Sequence, residues 1–494
     1  MQNEFTKKIP KRIPKEITRI FNFELNNTQR EAIDRILKFI ESQDKIFILK
    51  GYAGTGKTTL LKGLTKYFNV RKTSFICMAP TGRAAKVITE ITGCNAHTIH
   101  KHIYSRSDLR EYKVDNGQGS EFIKYYYSIR KNDDPAEVIY IVDEASMLSN
   151  LNANGSYIRF GSGFLLNDFF SYVGSYNKRK IIFIGDPAQL PPVNMDNSPA
   201  LSKNYLEELL PGQKVQDYEM REVVRQCKES GILSMATTIR EKIDNKVFPH
   251  LNVAINERDI LPLSSIKVAQ KFLELTSNLR HFPAVIIAHT NHAVLTYNQA
   301  VRERLWGTGK DICPGDRIIV IQNNYSHEIE LLNGEFGTII KVEPGVESRK
   351  ITVRNKSNIS EVVLHFREVV IGFEIEDDKI ENIRCKILTN LLNSNMANLT
   401  MEEIQALYID FKLRHPELKP NTADFKNAIE HDPYFNCLRI KYGYAVTCHK
   451  AQGGEWEQVL IDFNAACNFN DLFYYRWAYT ALTRAKKSVY SFEA

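Results

Sequence analysis

Short apolar runs rich in β-branched residues punctuate the chain, each closed by a polar or Gly-containing turn. KIFILK (45–50), SFICMAP (74–80), VIYIVDE (138–144) and KIIFIGD (180–186) form a first set. Runs this uniformly apolar fit parallel strands buried on both faces between helices better than half-exposed antiparallel strands. Amphipathic helical stretches separate them, so this part of the chain reads as repeated βα units. A second set, PAVIIAHT (283–290), LRIKYGYAV (438–446) and QVLIDF (458–463), alternates with helices predicted over 291–306 and 472–485. The pattern predicts an α/β protein with two similar parallel-sheet lobes, each strand delivering its following turn to one sheet edge.

Two segments break the rhythm. Residues 101–135 hold seven basic groups, six acidic groups, five tyrosines and the turn-like DNGQGS, which predicts a strand-turn-strand insertion. Residues 312–372 contain DRIIVIQNN, FGTIIKV, KITVRN and EVVLHFR between turn signals, the pattern of a small antiparallel barrel, with a type I′ turn expected at Asn333-Gly334-Glu335. The stretch after it, 373–433, reads as helical. Thr400 and Glu403 form a capping box, Ile404, Leu407 and Phe411 share a face, and Pro416 ends the run.

Composition narrows the class. At 494 residues with 43% hydrophobic and 25% charged positions, the chain is long enough for roughly two to four domains and unlike a disordered or fibrous protein. No run approaches the length of a membrane span, and the opening residues lack the apolar core of a secretory signal. The eight cysteines form no CxxC pair, which leads to the expectation of a reducing cytoplasm. Net charge is +7, and the first 20 residues carry six basic groups against two acidic ones. The other 474 residues are therefore close to neutral, too weakly basic for charge alone to argue for nucleic acid.

The motifs say more. Gly51-Tyr-Ala-Gly54-Thr55-Gly56-Lys57-Thr58-Thr59 follows a predicted strand and opens a predicted helix, the context of a phosphate-binding loop. Backbone N–H groups there wrap phosphates, Lys57 neutralises the terminal oxygens, and the Thr58 hydroxyl suits Mg²⁺. VIYIVDE delivers Asp143 and Glu144 to another strand end, Asp143 for the metal and Glu144 to orient and deprotonate an attacking water. ATP and Mg²⁺ are the expected cofactors.

With GYAGTGKT, APTGRAAK (79–86), VDEASML (142–148), GDPAQLPPV (185–193), EVVRQ (222–226), YAVTCHKAQGGEW (444–456) and YTALTRAKK (479–487), the chain resembles superfamily 1 helicases, and more narrowly their RecD and Dda branch. The charge marks residues 1–20 as a basic arm, and the resemblance implies a first RecA-like lobe (21–225), with the insertion at 101–135 sitting where relatives carry a pin. It implies a second RecA-like lobe (226–311 and 434–494) interrupted by an SH3-like barrel (312–372), while the helical insertion (373–433) is read from its own residues and lies outside the resemblance. It implies adenine reading by Gln29, γ-phosphate sensing by Gln189, arginine fingers at Arg225 and Arg484, and a ribose contact at Glu455. On the nucleic-acid side, Thr81 follows the strand SFICMA and caps the predicted helix GRAAKVITE, so its hydroxyl and the adjacent N–H groups suit a strand phosphate, with Arg83 nearby; the resemblance implies further contacts by Thr98, His100, Asn291, Thr447, His449 and Lys450.

The activity implied is an ATP-driven monomeric motor that moves 5′ to 3′ on single-stranded DNA and opens duplex junctions, with replication or recombination proteins as partners and no membrane. Remodelling of RNA or ribonucleoprotein, and a nucleotide-dependent binding module without motor action, are the alternatives. Tyr104, Tyr112 and Tyr125 to Tyr127 are candidate rings for a strand-separating wedge, set against a purely packing role. Cys94, His97, His100 and His102 lack a partner pair at ligand spacing, so zinc is not the expectation. Tyr52 departs from the branch, whose members often have Pro there.

Overall fold

The computed structural model describes residues 19–21, 24–115, 121–152, 158–174, 178–224, 230–256, 258–276, 283–327, 329–355, 358–375, 379–420, 422–463 and 470–492. The predicted arm, apart from Arg19 and Ile20, and Arg225 lie outside these residues.

Strands β1 (Ile46–Gly51), β2 (Phe75–Ala79), β3 (Ala96–Thr98), β6 (Ile139–Val142), β8 (Lys180–Gly185) and β9 (Val215–Met220) make one sheet in the order β3-β2-β6-β8-β1-β9. Every pairing in it is parallel. The central strands are buried on both faces, as their unbroken apolar runs require. Their carboxyl ends bring Gly51, Asp143 and Asp186 to one edge.

A hairpin of β4 (Tyr104–Asp115) and β5 (Glu121–Ile129) leaves this lobe, and β7 (Ile158–Phe160) adds to it alongside β5. The second lobe is a parallel sheet of β10 (Ile260–Leu263), β11 (Ala284–Ala288), β18 (Ala445–Thr447), β19 (Trp456–Ile461) and β20 (Ala485–Phe492), ordered β10-β20-β19-β11-β18. The helices Gly231–Asn245 and Leu472–Leu482 pack together on it, joined by Ile232, Met235, Ile239, Trp477 and Ala481 in one core.

Between β11 and β18 the chain builds an antiparallel sheet from β12 (Arg317–Val320), β13 (Phe336–Val342), β14 (Glu347–Asn355), β15 (Asn358–Glu374), β16 (Ile380–Leu388) and β17 (Ile440–Tyr442). It runs past residue 372 into the stretch expected to be helical, which is a correction: β15 continues to Glu374 and pairs with β16 over nine positions, and the α-helices of 373–433 begin only at Met401. The helices Met401–Arg414 and Ala423–His431 follow, and the Thr400–Glu403 capping box is formed.

Two local expectations are corrected. LRIKYGYAV is not one strand: β17 pairs antiparallel with β12 and β18 parallel with β11. The switch falls at Gly443, where a Cβ would lie 2.9 Å from the Ile318 carbonyl carbon. Both halves carry buried apolar residues, Ile440 and Tyr442 in one and Ala445 and Val446 in the other, so hydrophobic pattern alone could not mark the break. The turn at Asn333-Gly334 closes with Glu335 N–H donating to the Leu332 carbonyl (3.0 Å), and only Gly334 has positive φ (93°). That is type II geometry, since type I′ needs positive φ at both central residues. Among the described residues no helix is long and apolar enough to cross a membrane.

Candidate functional site

The loop after β1 turns through Gly54 (φ 73°) and Gly56 (φ 85°), conformations that favour glycine, and enters the helix Lys57–Arg71. No side chain caps that helix and no acidic residue lies in its first turn, so its leading N–H groups and positive dipole end face outward. Thr58 and Thr59 are exposed, while Thr55 is buried with its hydroxyl donating to the Tyr52 carbonyl (2.8 Å). Lys57 Nζ donates to the carbonyls of Gly51 (2.6 Å) and Tyr52 (3.1 Å) and lies 3.7 Å from Asp186.

Gln29 is buried against this loop, donating from Nε2 to the Thr55 carbonyl (3.1 Å) and accepting the Asn26 N–H (3.1 Å) in a capping box. A Cβ on Gly56 would stand 2.5 Å from its amide nitrogen. The structure thus brings Gln29, Gly54, Thr55, Gly56, Lys57, Thr58 and Thr59 together.

Asp143 and Glu144 leave the next strand but one. Glu144 has φ 51°, an uncommon conformation for a non-glycine residue, and its N–H donates to Asp143 Oδ1 (2.8 Å). Desolvation and the neighbouring Glu144 carboxylate push the Asp143 carboxyl up to about 7, against the opposing pull of that N–H and of Lys57. Asp186, fully buried, accepts the Ala188 N–H (2.9 Å) at Oδ1. Gln189 is buried three residues on, and among the described residues its Oε1 has no hydrogen-bond partner.

The second lobe meets this edge through residues the motif reading did not single out. The Tyr479 hydroxyl donates to Asp186 Oδ2 (2.8 Å) and accepts the Ala53 N–H of the phosphate loop (2.7 Å). Leu190 N–H donates to Thr480 Oγ1 (2.8 Å), and Gln452 Nε2 donates to the Leu190 carbonyl (2.9 Å). Tyr52 crosses the other way, with its hydroxyl donating to Glu219 and lying 3.4 Å from Asp244, and Arg240 4.7 Å over its ring. Asp186 could have been found as an ionisable group closing a buried strand, like Asp143. Tyr479 sits inside an aromatic-rich helix, and nothing in the sequence separates it from its neighbours.

Arg484 is not extended toward the phosphate loop. It is buried, donating to the carbonyls of Thr480 (3.1 Å) and Gly454 (3.2 Å) and to Thr483 Oγ1 (3.2 Å). Glu455 is exposed, 3.8 Å from Lys486.

Beyond the carboxyl ends of β2 and β3, Thr81, Thr98 and His100 line one cleft of about 510 Å³, faced by Tyr127, Phe160, Asn323 and Asn436. Thr81 and Thr98 cap the helices Gly82–Thr92 and Ile99–Ile103, each hydroxyl accepting an N–H (3.3 and 3.2 Å). Burial pushes the His100 imidazole down to about 4, so it is neutral near pH 7. Lys450, which burial brings down to about 8, is bound to Asn333 on the wall of this cleft. Asn291 and Thr447 sit at the ends of the paired strands β11 and β18. His449 is desolvated down to about 4, with no partner for Nε2 among the described residues.

Arg83 departs from the expectation of a strand phosphate contact: its guanidinium stacks 3.9 Å over Trp456, away from that cleft. Of the candidate wedge rings, Tyr104 is buried and bonded to Asp168 (2.7 Å), and Tyr125 is buried and stacked on Phe425. Tyr112 and Tyr126 pack edge to face beneath Arg159. Among the described residues no three His, Cys, Asp or Glu side chains converge on a metal position, and His102 instead pairs with Asp134 (2.8 Å).

Residues 24–252 match the AAA domain family model and residues 442–490 the UvrD-like helicase C-terminal domain model. The chain is 23% identical over 486 residues to the ATP-dependent DNA helicase dda of Enterobacteria phage T4, covering 94% of this chain and 99% of that protein. It is 22% identical over 477 residues to the ATP-dependent RecD2 DNA helicase of Deinococcus radiodurans, covering 94% of this chain and 49% of that longer protein. Among solved structures it is similar to the Pif1 helicase from Candida albicans, with a TM-score of 0.46 at 15% identity over 96% of this chain and 95% of that one.

Proposed function

We infer that this chain, an ATP-hydrolysing enzyme of the superfamily 1 helicase type in the RecD and Dda branch, is a motor that moves 5′ to 3′ along single-stranded DNA and opens duplex ahead of it. The observation that carries the reading is the meeting of two lobes at one sheet edge. The phosphate loop, Asp143, Glu144 and Asp186 come from the first lobe, and Tyr479 from the second reaches both Asp186 and Ala53. The direction is carried over from the branch.

ATP phosphates would enter at the uncapped start of Lys57–Arg71, drawing Lys57 off the carbonyls it now holds. Mg²⁺ suits the oxygen-only pair of Thr58 and Asp143, because burial and then the neighbouring Glu144 disfavour the Asp143 charge and a divalent cation would restore it. When bound it would neutralise charge on the phosphates. Glu144 would orient and deprotonate the attacking water, and Gln29 and Glu455 would hold base and ribose.

Arg225 and Arg484 are the proposed fingers, and such a group is worth about 10³ to 10⁵ in rate. Arg484 would have to leave its three bonds to act, so hydrolysis depends on rearrangement between the lobes. Thr81, Thr98, His100, Asn291, Thr447, His449 and Lys450 would grip the strand through hydroxyls, helix starts and weakly charged groups, suited to a contact that must release at each step. The antiparallel sheet would serve as the SH3-like cover of the strand, and the hairpin as the pin.

A tailed-duplex unwinding assay tests this. The chain should open substrates with a 5′ overhang in an ATP-dependent manner. Opening of 3′-tailed substrates alone would refute the direction, and opening of neither would refute the motor.

A further inference from the structure

The start of the first-lobe helix Gly82–Thr92 is wedged between the antiparallel module and the second lobe, and the fit is tight at consecutive residues. A Cβ on Gly82 would lie 2.3 Å from Leu332 of the antiparallel module. Arg83 lies 3.9 Å over the Trp456 ring of the second lobe and 5.3 Å over Phe336 of the antiparallel module. Those two rings stand edge to face, 6.1 Å apart. Ala84 faces Gly453, where a Cβ would come within 3.1 Å, and a Cβ on Gly454 would fall 2.3 Å from the Arg83 guanidinium carbon. The two glycines of QGGEW thus leave a slot that Arg83 fills.

Beyond the slot lies Arg484. Its Nη1 donates to the Gly454 carbonyl (3.2 Å), and its own carbonyl accepts the Trp456 N–H (2.9 Å). Arg83 is therefore one residue from the strand-side cap Thr81–Gly82 on one side and one hydrogen bond from the proposed finger on the other. Its Nη1 is buried and has no partner among the described residues. The nearby Arg484 charge opposes its own, which desolvation already disfavours.

We propose that Arg83 is a positioning residue that couples the strand cleft to the nucleotide cleft, by keying the start of helix Gly82–Thr92 into the Gly453–Gly454–Trp456 slot whose carbonyl holds Arg484. This rests on the helicase reading above and departs from a phosphate contact for Arg83. A shift of the strand-side helix start moves the key, the slot follows, and Arg484 is retained or released.

The test is Gly454→Ala, which fills the slot and removes no charge, followed by Arg83→Met. Steady-state ATP turnover is measured without DNA and with saturating oligo-dT, beside the salt dependence of oligo-dT binding. Gly454→Ala should keep turnover without DNA near that of the unaltered chain and lose about fivefold or more of the stimulation at saturation. Arg83→Met should leave the salt slope unchanged.

A slope lower by about 0.7 in Arg83→Met, with stimulation recovered at saturating DNA, would make Arg83 a phosphate contact and overturn the proposal. Loss of turnover with and without DNA in equal proportion, with an early thermal transition, would reduce the slot to a packing feature and overturn it as well. Absence of any stimulation in the unaltered chain would instead count against the motor reading, before either variant is compared.

Discussion

Replacing Tyr479 by Phe removes one oxygen from a ring buried to 1% exposure and leaves the rest of its packing unchanged. That oxygen makes two bonds across the lobes, donating to Asp186 (2.8 Å) and accepting from Ala53 (2.7 Å). Asp186 keeps the Ala188 N–H and the Lys57 ammonium at 3.7 Å, so it is not stranded. A hydrogen bond to a charged group contributes about 1.5 to 3 kcal/mol, and the part-buried Ala53 N–H left unpaired adds at most about 1 to 3 more. The two are not independent, and about 3 kcal/mol is a fair sum.

At about 1.4 kcal/mol per decade, that is about a hundredfold in the equilibrium that docks the second lobe on the phosphate loop. Hydrolysis needs both lobes, so kcat/KM for ATP with saturating oligo-dT should fall about a hundredfold. Binding of a fluorescent ATP analogue, which rests mainly on first-lobe groups, should change less than about threefold. Tyr475→Phe is the control, because it loses only a bond to the Pro249 carbonyl away from the loop (2.7 Å). If Tyr479→Phe and Tyr475→Phe gave the same near-normal kcat/KM, the hydroxyl would not be holding the lobes and the reasoning would fail.

Three further outcomes are expected. Lys57→Ala should cut turnover by at least about a hundredfold while leaving the thermal transition within a few degrees, since the ammonium now bonds only to loop carbonyls and a near neighbour; a normal rate would exclude this loop as the ATP site. Because the Asp143 carboxyl is raised to about 7, the folded chain holds a proton there that the unfolded chain releases near 4. Its contribution to stability is present below that lower value and lost as pH rises through about 7, while the Mg²⁺ concentration needed for half-maximal turnover should climb as pH falls below 7. Asp143→Asn should abolish that climb, and an equal climb in the variant would assign it to another group. Tyr112→Ala with Tyr126→Ala should impair duplex opening with strand-stimulated turnover intact, whereas Tyr125→Ala, which unstacks Phe425, should lower stability by about 3 kcal/mol in urea denaturation.

The α/β class and the parallel strands were legible because buried β-branched runs have few other folds open to them, and the loop chemistry at Gly51 to Thr58 was legible because its glycine and lysine positions are set by backbone geometry. What could not be read was contact between distant segments. Tyr479 meets Asp186 across 293 positions, and its helix offers four aromatic residues in six without a sign of which hydroxyl matters. Arg83 looked like a phosphate ligand because it follows a helix cap, and only the fold reveals Gly454 and Trp456 enclosing it. The sheet switch at Gly443 was hidden because buried apolar residues stand on both sides of it, in β17 and in β18.

The central claim is that a strand in the cleft drives hydrolysis at the phosphate loop. The direct measurement is ATP turnover by the full chain with and without oligo-dT, at fixed Mg²⁺ and pH 8. The account predicts turnover rising at least about tenfold with oligo-dT and abolished by Lys57→Ala. Equal turnover with and without the strand would contradict it.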